Sequence, residues 1–89
     1  MPSKLPELVT KAIQIRQKLE QLFSACAGNS LDSKITNSNA PKQDVSTYHE
    51  IRIWANRIIH GDKDVDLRKE RPKAKQYTEF LSYKRAFCK

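Results

Sequence analysis

The chain has 89 residues, with 17 Lys/Arg against 10 Asp/Glu, a net charge of +7 and 38% hydrophobic residues. These values describe one small domain with enough apolar content to fold, too little charge imbalance to force disorder, and a thin core of the kind that oligomerisation commonly completes. No apolar run approaches a membrane span and no apolar leader opens the chain, so a cytoplasmic protein without membrane contact is expected.

The charge is uneven. Residues 67–89 hold eight Lys/Arg and two Asp/Glu, whereas residues 1–66 hold nine and eight. A basic face attracts polyanions, phosphate backbones above all; the plainer reading is a solvated helix face. Cys26 and Cys88 form neither a CxxC pair nor a zinc-ligand spacing. They read as buried or idle thiols in a reducing compartment, and no metal or cofactor is expected.

The first element is a helix over about 4–27. Leu5, Leu8, Val9, Ala12, Ile15, Leu19, Leu22, Phe23 and Cys26 recur at three- and four-residue steps, which places them on one face. Ser3 can cap its start, Pro6 fits only the first turn, and Gly28 stops it. Residues 28–45 are rich in Ser, Asn, Asp, Gly and Pro and read as a loop, with Leu31 and Ile35 able to pin it to the core.

A second helix is expected over 46–60. Thr47 and Glu50 match the T-x-x-E capping box, and Gly61 is a stop signal. Tyr48, Ile51, Ala55, Ile58 and Ile59 form its apolar stripe, with Trp54 packing beside it. A connector of alternating charge follows. A third helix is expected over 72–88, with Pro72 in its first turn. Ala74, Tyr77, Phe80, Leu81, the stem of Lys84, Phe87 and Cys88 share its apolar face, and Lys73, Lys75, Glu79 and Arg85 stay wet. No strand pattern competes. The fold class is therefore all-α, a small bundle of three main helices in a single domain over residues 1–89.

The second helix carries the chemistry-bearing residues. Arg52, Asn56 and His60 stand at i, i+4 and i+8, so they remain on one side over roughly 12 Å. His49 precedes Arg52 by nearly a turn and Arg57 flanks His60. Histidine can move a proton near neutral pH, arginine can hold a phosphate, and an amide can orient either. Such a set suits metal-independent RNA cleavage, in which a ribose 2′-OH attacks the adjacent phosphate and arginine steadies the developing charge. Plain alternatives stand beside it. His60 sits where the helix dipole favours an imidazolium, and Arg52 can pair with Glu50 or with an acid of another helix. Asn56, costly in mid-helix, requires a tertiary partner.

The run Ile51-Arg52-Ile53-Trp54-Ala55-Asn56-Arg57-Ile58-Ile59-His60-Gly61 resembles the signature helix of HEPN-like domains, nearest the DUF4145-type branch with its L-R-x-x-G/A-N-x-x-x-H pattern. The resemblance covers about 15 residues. It implies an all-α bundle completed by two-fold dimerisation, the polar residues of two facing helices meeting in a cleft. It also implies an RNA-contacting protein of a defence or mobile-element system, possessing ribonuclease chemistry in many relatives. On that reading His60 is the acid/base, Arg52 the phosphate clamp and Asn56 the orienter, with Arg57, Lys73, Lys75 and Arg85 contacting nucleic acid. The usual R-x4–6-H arginine is absent. Ala55 stands five residues before His60, and the arginine stands eight before it. That favours the alternative, a non-catalytic module for dimerisation or protein interaction whose stripe is an interfacial hydrogen-bond network.

Overall fold

The computed structural model describes residues 5–61 and 63–88. It contains four helices, α1 (Leu5–Leu22), α2 (Leu31–Thr36), α3 (Lys42–His60) and α4 (Leu67–Ser82), and no strand among the described residues. The three long helices form the bundle, with α1 packed against both α3 and α4 and α2 laid against α3. The expected Ser3 cap lies outside the described residues.

The apolar stripes meet as their spacing requires. Leu8, Ala12, Ile15, Leu19 and Leu22 of α1 bury against Tyr48, Ile51, Ala55 and Ile58 of α3 and Ala74, Tyr77 and Leu81 of α4. Trp54 is buried and packs edge-on against Tyr77, ring centres 5.3 Å apart. Ile35 is fully buried and Leu31 partly so, and both come from α2. No described helix is long and apolar enough to cross a membrane.

Five expectations are corrected. The segment 28–45 is not a loop throughout. Ser30 and Ser33 form a reciprocal capping box, Ser33 N–H donating to Ser30 Oγ at 3.2 Å and Ser30 N–H to Ser33 Oγ at 3.1 Å, which starts α2. A serine hydroxyl here does the work that the consensus assigns to Glu or Gln.

The Thr47–Glu50 box does not form. The helix begins four residues earlier than expected, after Pro41, and Asp44 occupies its first turn, where a carboxylate complements the helix dipole. Val45 and Tyr48 continue the apolar face back through that turn. Glu50 is thus free to accept a hydrogen bond from the Tyr77 hydroxyl at 2.7 Å.

The last helix begins at Leu67 rather than near Pro72, because Asp66 caps it by accepting from the Arg68 N–H at 3.0 Å. Pro72 falls in its second turn, where its fixed φ is compatible with helix although it contributes no N–H. It ends at Ser82, and residues 83–88 return as a non-helical strap. The first helix likewise stops at Leu22, and residues 23–25 form a turn.

The cysteines are not idle thiols. Cys26 and Cys88 form a disulfide with Cα atoms 5.0 Å apart. The spacing assigns both to helical faces, but α1 stops at Leu22 and α4 at Ser82, so Cys26 lies beyond the one helix and Cys88 on the strap. Gly61, the one stop signal placed correctly to the residue, adopts φ 73° and its N–H closes the end of α3 onto the Arg57 and Ile58 carbonyls.

Candidate functional site

Helix α3 has its buried stripe on one side and two polar edges flanking it. On the edge facing α2, Asp32 gathers two basic side chains. Arg52 Nη2 lies 3.5 Å from Asp32 Oδ1, and His49 Nδ1 lies 3.2 Å from the same oxygen without a directed hydrogen bond. The other ring nitrogen of His49 shares a hydrogen bond with Thr36 Oγ1 at 3.2 Å. Arg52 therefore pairs with an acid of another helix, one of the two plain readings of that residue. Asp32 is 61% exposed, so solvent screens the pair.

Asn56 is half-buried on the same edge, and its Oδ1 is buried with no hydrogen-bond partner among the described residues; the same holds for Arg52 Nε. One turn on, His60 is exposed. Ile53 shares this outward side of α3 with His49, Asn56 and His60, at four-, three- and seven-residue spacings, and it is 57% exposed. The position five before His60 faces the other way: Ala55 is fully buried in the core. Packing decides the residue type there, and an arginine at that point could not reach the outward side.

On the opposite edge, facing α4, Glu70 is buried. It accepts from Trp54 Nε1 at 3.0 Å and from Arg57 Nη2 at 2.6 Å, with Lys73 Nζ 3.8 Å away. A buried carboxylate is tolerable when both oxygens are satisfied and a cation is adjacent. The Glu50–Tyr77 bond lies on this edge too, and burial first, then that bond, pushes the Tyr77 phenol well above its ordinary range. A groove of about 500 Å³ runs along it, lined by Ile53, Trp54, Arg57, Lys73 and Tyr77.

The seven residues expected to act together are thus distributed over several surfaces. Arg52, Asn56 and His60 do share one edge. Arg57 and Lys73 belong to the Glu70 cluster. Lys75 lies on the far side of α4, beside Arg71 and Lys11 in a groove against α1. Arg85 is on the strap, near Asp44 and Lys84. Lys73, Lys75 and Arg85 therefore do not share one face.

Glu70 and Asp32 are the groups that sequence reasoning missed. Glu70 had a signal: the period 70, 74, 77, 81 runs the α4 stripe back onto an acid, and an acid on an apolar stripe calls for a buried cation. Starting the helix at Pro72 hid it. Asp32 had none, because its partners are 17 and 20 residues away across an unrecognised helix.

Comparison with family models, with curated proteins and with solved structures gives no match.

Proposed function

We propose that the chain is a small HEPN-like helical domain that acts as a non-catalytic association module, pairing with a second copy through the outward side of α3. The observation that carries this reading is Ile53, 57% exposed beside Asn56, whose buried Oδ1 has no hydrogen-bond partner among the described residues. A buried polar atom without a partner costs about 1–3 kcal/mol. A second α3 laid across this side would cover the isoleucine and offer partners to the exposed His60, and to Asn56 once its amide turns outward. Arg52 is already balanced by Asp32 and Ala55 belongs to the core, which makes the edge better suited to a hydrogen-bonded interface than to a phosphate. The test is sedimentation equilibrium of the purified chain over a wide concentration range. A monomer–dimer equilibrium is expected, weakened about tenfold or more by Ile53→Asp, the order of effect of one lost interface anchor. A wild-type chain that stays monomeric at every concentration overturns the reading.

A second reading, RNA contact with metal-independent cleavage, draws on one specific feature. His60 is exposed and has no polar partner among the described residues, so a substrate can reach its ring. Arg52 would then steady the phosphate once released from Asp32, Asn56 would orient it, and Lys73, Lys75 and Arg85 would hold the backbone. The cytoplasmic, defence or mobile-element setting goes with this reading. Cleavage of single-stranded RNA in EDTA, lost in His60→Ala and Arg52→Ala, supports it; cleavage that both variants retain refutes it. Binding carried by phosphates also weakens steeply with salt, whereas pairing through Ile53 does not.

A further inference from the structure

The charges on the outward side of α3 are set symmetrically about Ile53. Glu50 and Asn56 stand three residues to either side of it, His49 and Arg57 four. His49, Glu50, Ile53 and Arg57 line one groove, with Lys73 of α4 beside them. A pairing with a second copy through one shared surface is two-fold, so each residue meets a counterpart fixed by symmetry. Ile53, 57% exposed, is the apolar anchor and lies on the axis.

Charge then selects the sense of the pairing. Parallel helices would set Glu50 against Glu50 and Arg57 against Arg57, and like charges face to face are costly. Antiparallel helices set Glu50 against Asn56 and His49 against Arg57, and each contact occurs twice.

His49 is the sensitive member. Thr36 Oγ1 donates to the Asp32 carbonyl at 3.0 Å, so it accepts from His49 Nε2–H at 3.2 Å. The second proton of an imidazolium therefore enters at Nδ1, which has no hydrogen-bond partner among the described residues and faces Asp32 Oδ1 at 3.2 Å. Within one chain the charges around this ring are Asp32 of α2, which Arg52 shares at 3.5 Å, Glu50 of α3, which accepts from the Tyr77 hydroxyl, and Lys73 of α4. The pairing adds Arg57 of the second copy, whose side chain stays 38% exposed beyond its contact with Glu70.

We propose that protonation of His49 switches this pairing off, so that association of the chain is controlled by pH. The inference rests on the association reading given above. A neutral imidazole packs against a guanidinium, whereas an imidazolium repels it, and symmetry makes the repulsion act twice. The pair therefore favours the neutral ring, and the separated chains take up protons more readily. By linkage, association is strong above the range in which imidazole titrates and weakens as pH falls through it.

The experiment is sedimentation equilibrium of the full chain at about pH 7.5 and about pH 5.5, a span over which imidazoles change charge and carboxylates do not, each at low and at high salt. The dissociation constant should rise about tenfold or more at the lower pH, the scale of two screened like-charge contacts, and added salt should recover part of the loss. His49→Gln removes the titrating ring and keeps an amide that can reach Thr36. Whatever its affinity, its dissociation constant should be level across the two pH values, with circular dichroism checking that it is helical. An unchanged or tighter pairing of the wild-type chain at the lower pH overturns this inference and leaves the association reading standing. So does a loss that salt does not relieve, or a pH dependence that His49→Gln retains. A wild-type chain monomeric at both pH values overturns the association reading with it.

Discussion

Arg57 Nη2 stands 2.6 Å from Glu70 Oε2, and this pair, with Trp54 Nε1 on the other oxygen at 3.0 Å, joins α3 to α4 through a buried carboxylate. Glu70→Ala leaves the tryptophan N–H without its acceptor and the arginine without its counter-charge. Breaking a fully buried pair costs about 3–5 kcal/mol, and the 38% exposure of the Arg57 side chain brings the expectation down to about 2–3 kcal/mol. Urea unfolding followed through the chain's one tryptophan measures it directly, since Trp54 is itself in the cluster.

Tyr48 makes a prediction of opposite sign. Its ring is fully buried and its hydroxyl has no hydrogen-bond partner among the described residues, so Tyr48→Phe removes a desolvated group and keeps the packing. Stability should rise by about 1 kcal/mol, or at worst stay level. The result is read from the urea midpoint, and a loss above that magnitude would mean that the hydroxyl is satisfied.

The same residue sets an alkaline limit. Burial, with Asp44 adding, pushes the Tyr48 phenol from 10.0 up to about 12. The folded state therefore favours the protonated phenol, and this contribution is fully present below pH 10. Above that the unfolded chain releases its proton first, so stability falls as pH rises from about 10 to about 12, by up to roughly 3 kcal/mol for this group. Tyr77, raised in the same direction, adds to the loss. Unfolding midpoints measured between pH 9 and pH 12 should show the decline, and Tyr48→Phe should make it shallower.

The two glycines separate backbone strain from crowding. Gly61 sits at φ 73° with open space where a Cβ would go, so Gly61→Ala should cost about 1 kcal/mol from conformation alone. Gly28 has φ 142°, a region in which side chains are rarely found, and an added Cβ would collide with Ser33 of the α2 cap. Gly28→Ala should cost clearly more, with the excess reflecting damage to the Ser30–Ser33 box. Thermal melts of the two variants side by side test the order.

Asp32 tests how firmly the α2 edge holds Arg52. Because Asp32 is 61% exposed, Asp32→Asn should lower stability by only about 0.5 kcal/mol. The same change removes the charge that occupies Arg52. If the stripe contacts phosphates, RNA binding at low salt should strengthen in this variant; if it is a protein interface, RNA binding should not change.

Local signals and apolar periodicity were enough to establish an all-helical chain, the faces of its three long helices and the Gly61 terminus. Leu8 to Leu22, Tyr48 to Ile58 and Ala74 to Leu81 recur at helical spacing whatever they pack against, and a left-handed stop depends on one residue. The Arg52–Asn56–His60 alignment was legible for the same reason, being a property of one helix. Boundaries were less legible, because Ser30 and Asp66 compete with equally plausible caps and α3 starts after Pro41 with no side-chain cap, so each start is decided by whether the helix also packs Ile35, Val45 or Glu70 inward. What these polar residues do was decided by tertiary structure alone. Arg52 turned to Asp32, Arg57 to Glu70 and Cys26 to Cys88, each across a separation that spacing along the chain does not encode. A charge or a thiol has no preferred partner until the packing of apolar faces brings one within a few ångströms.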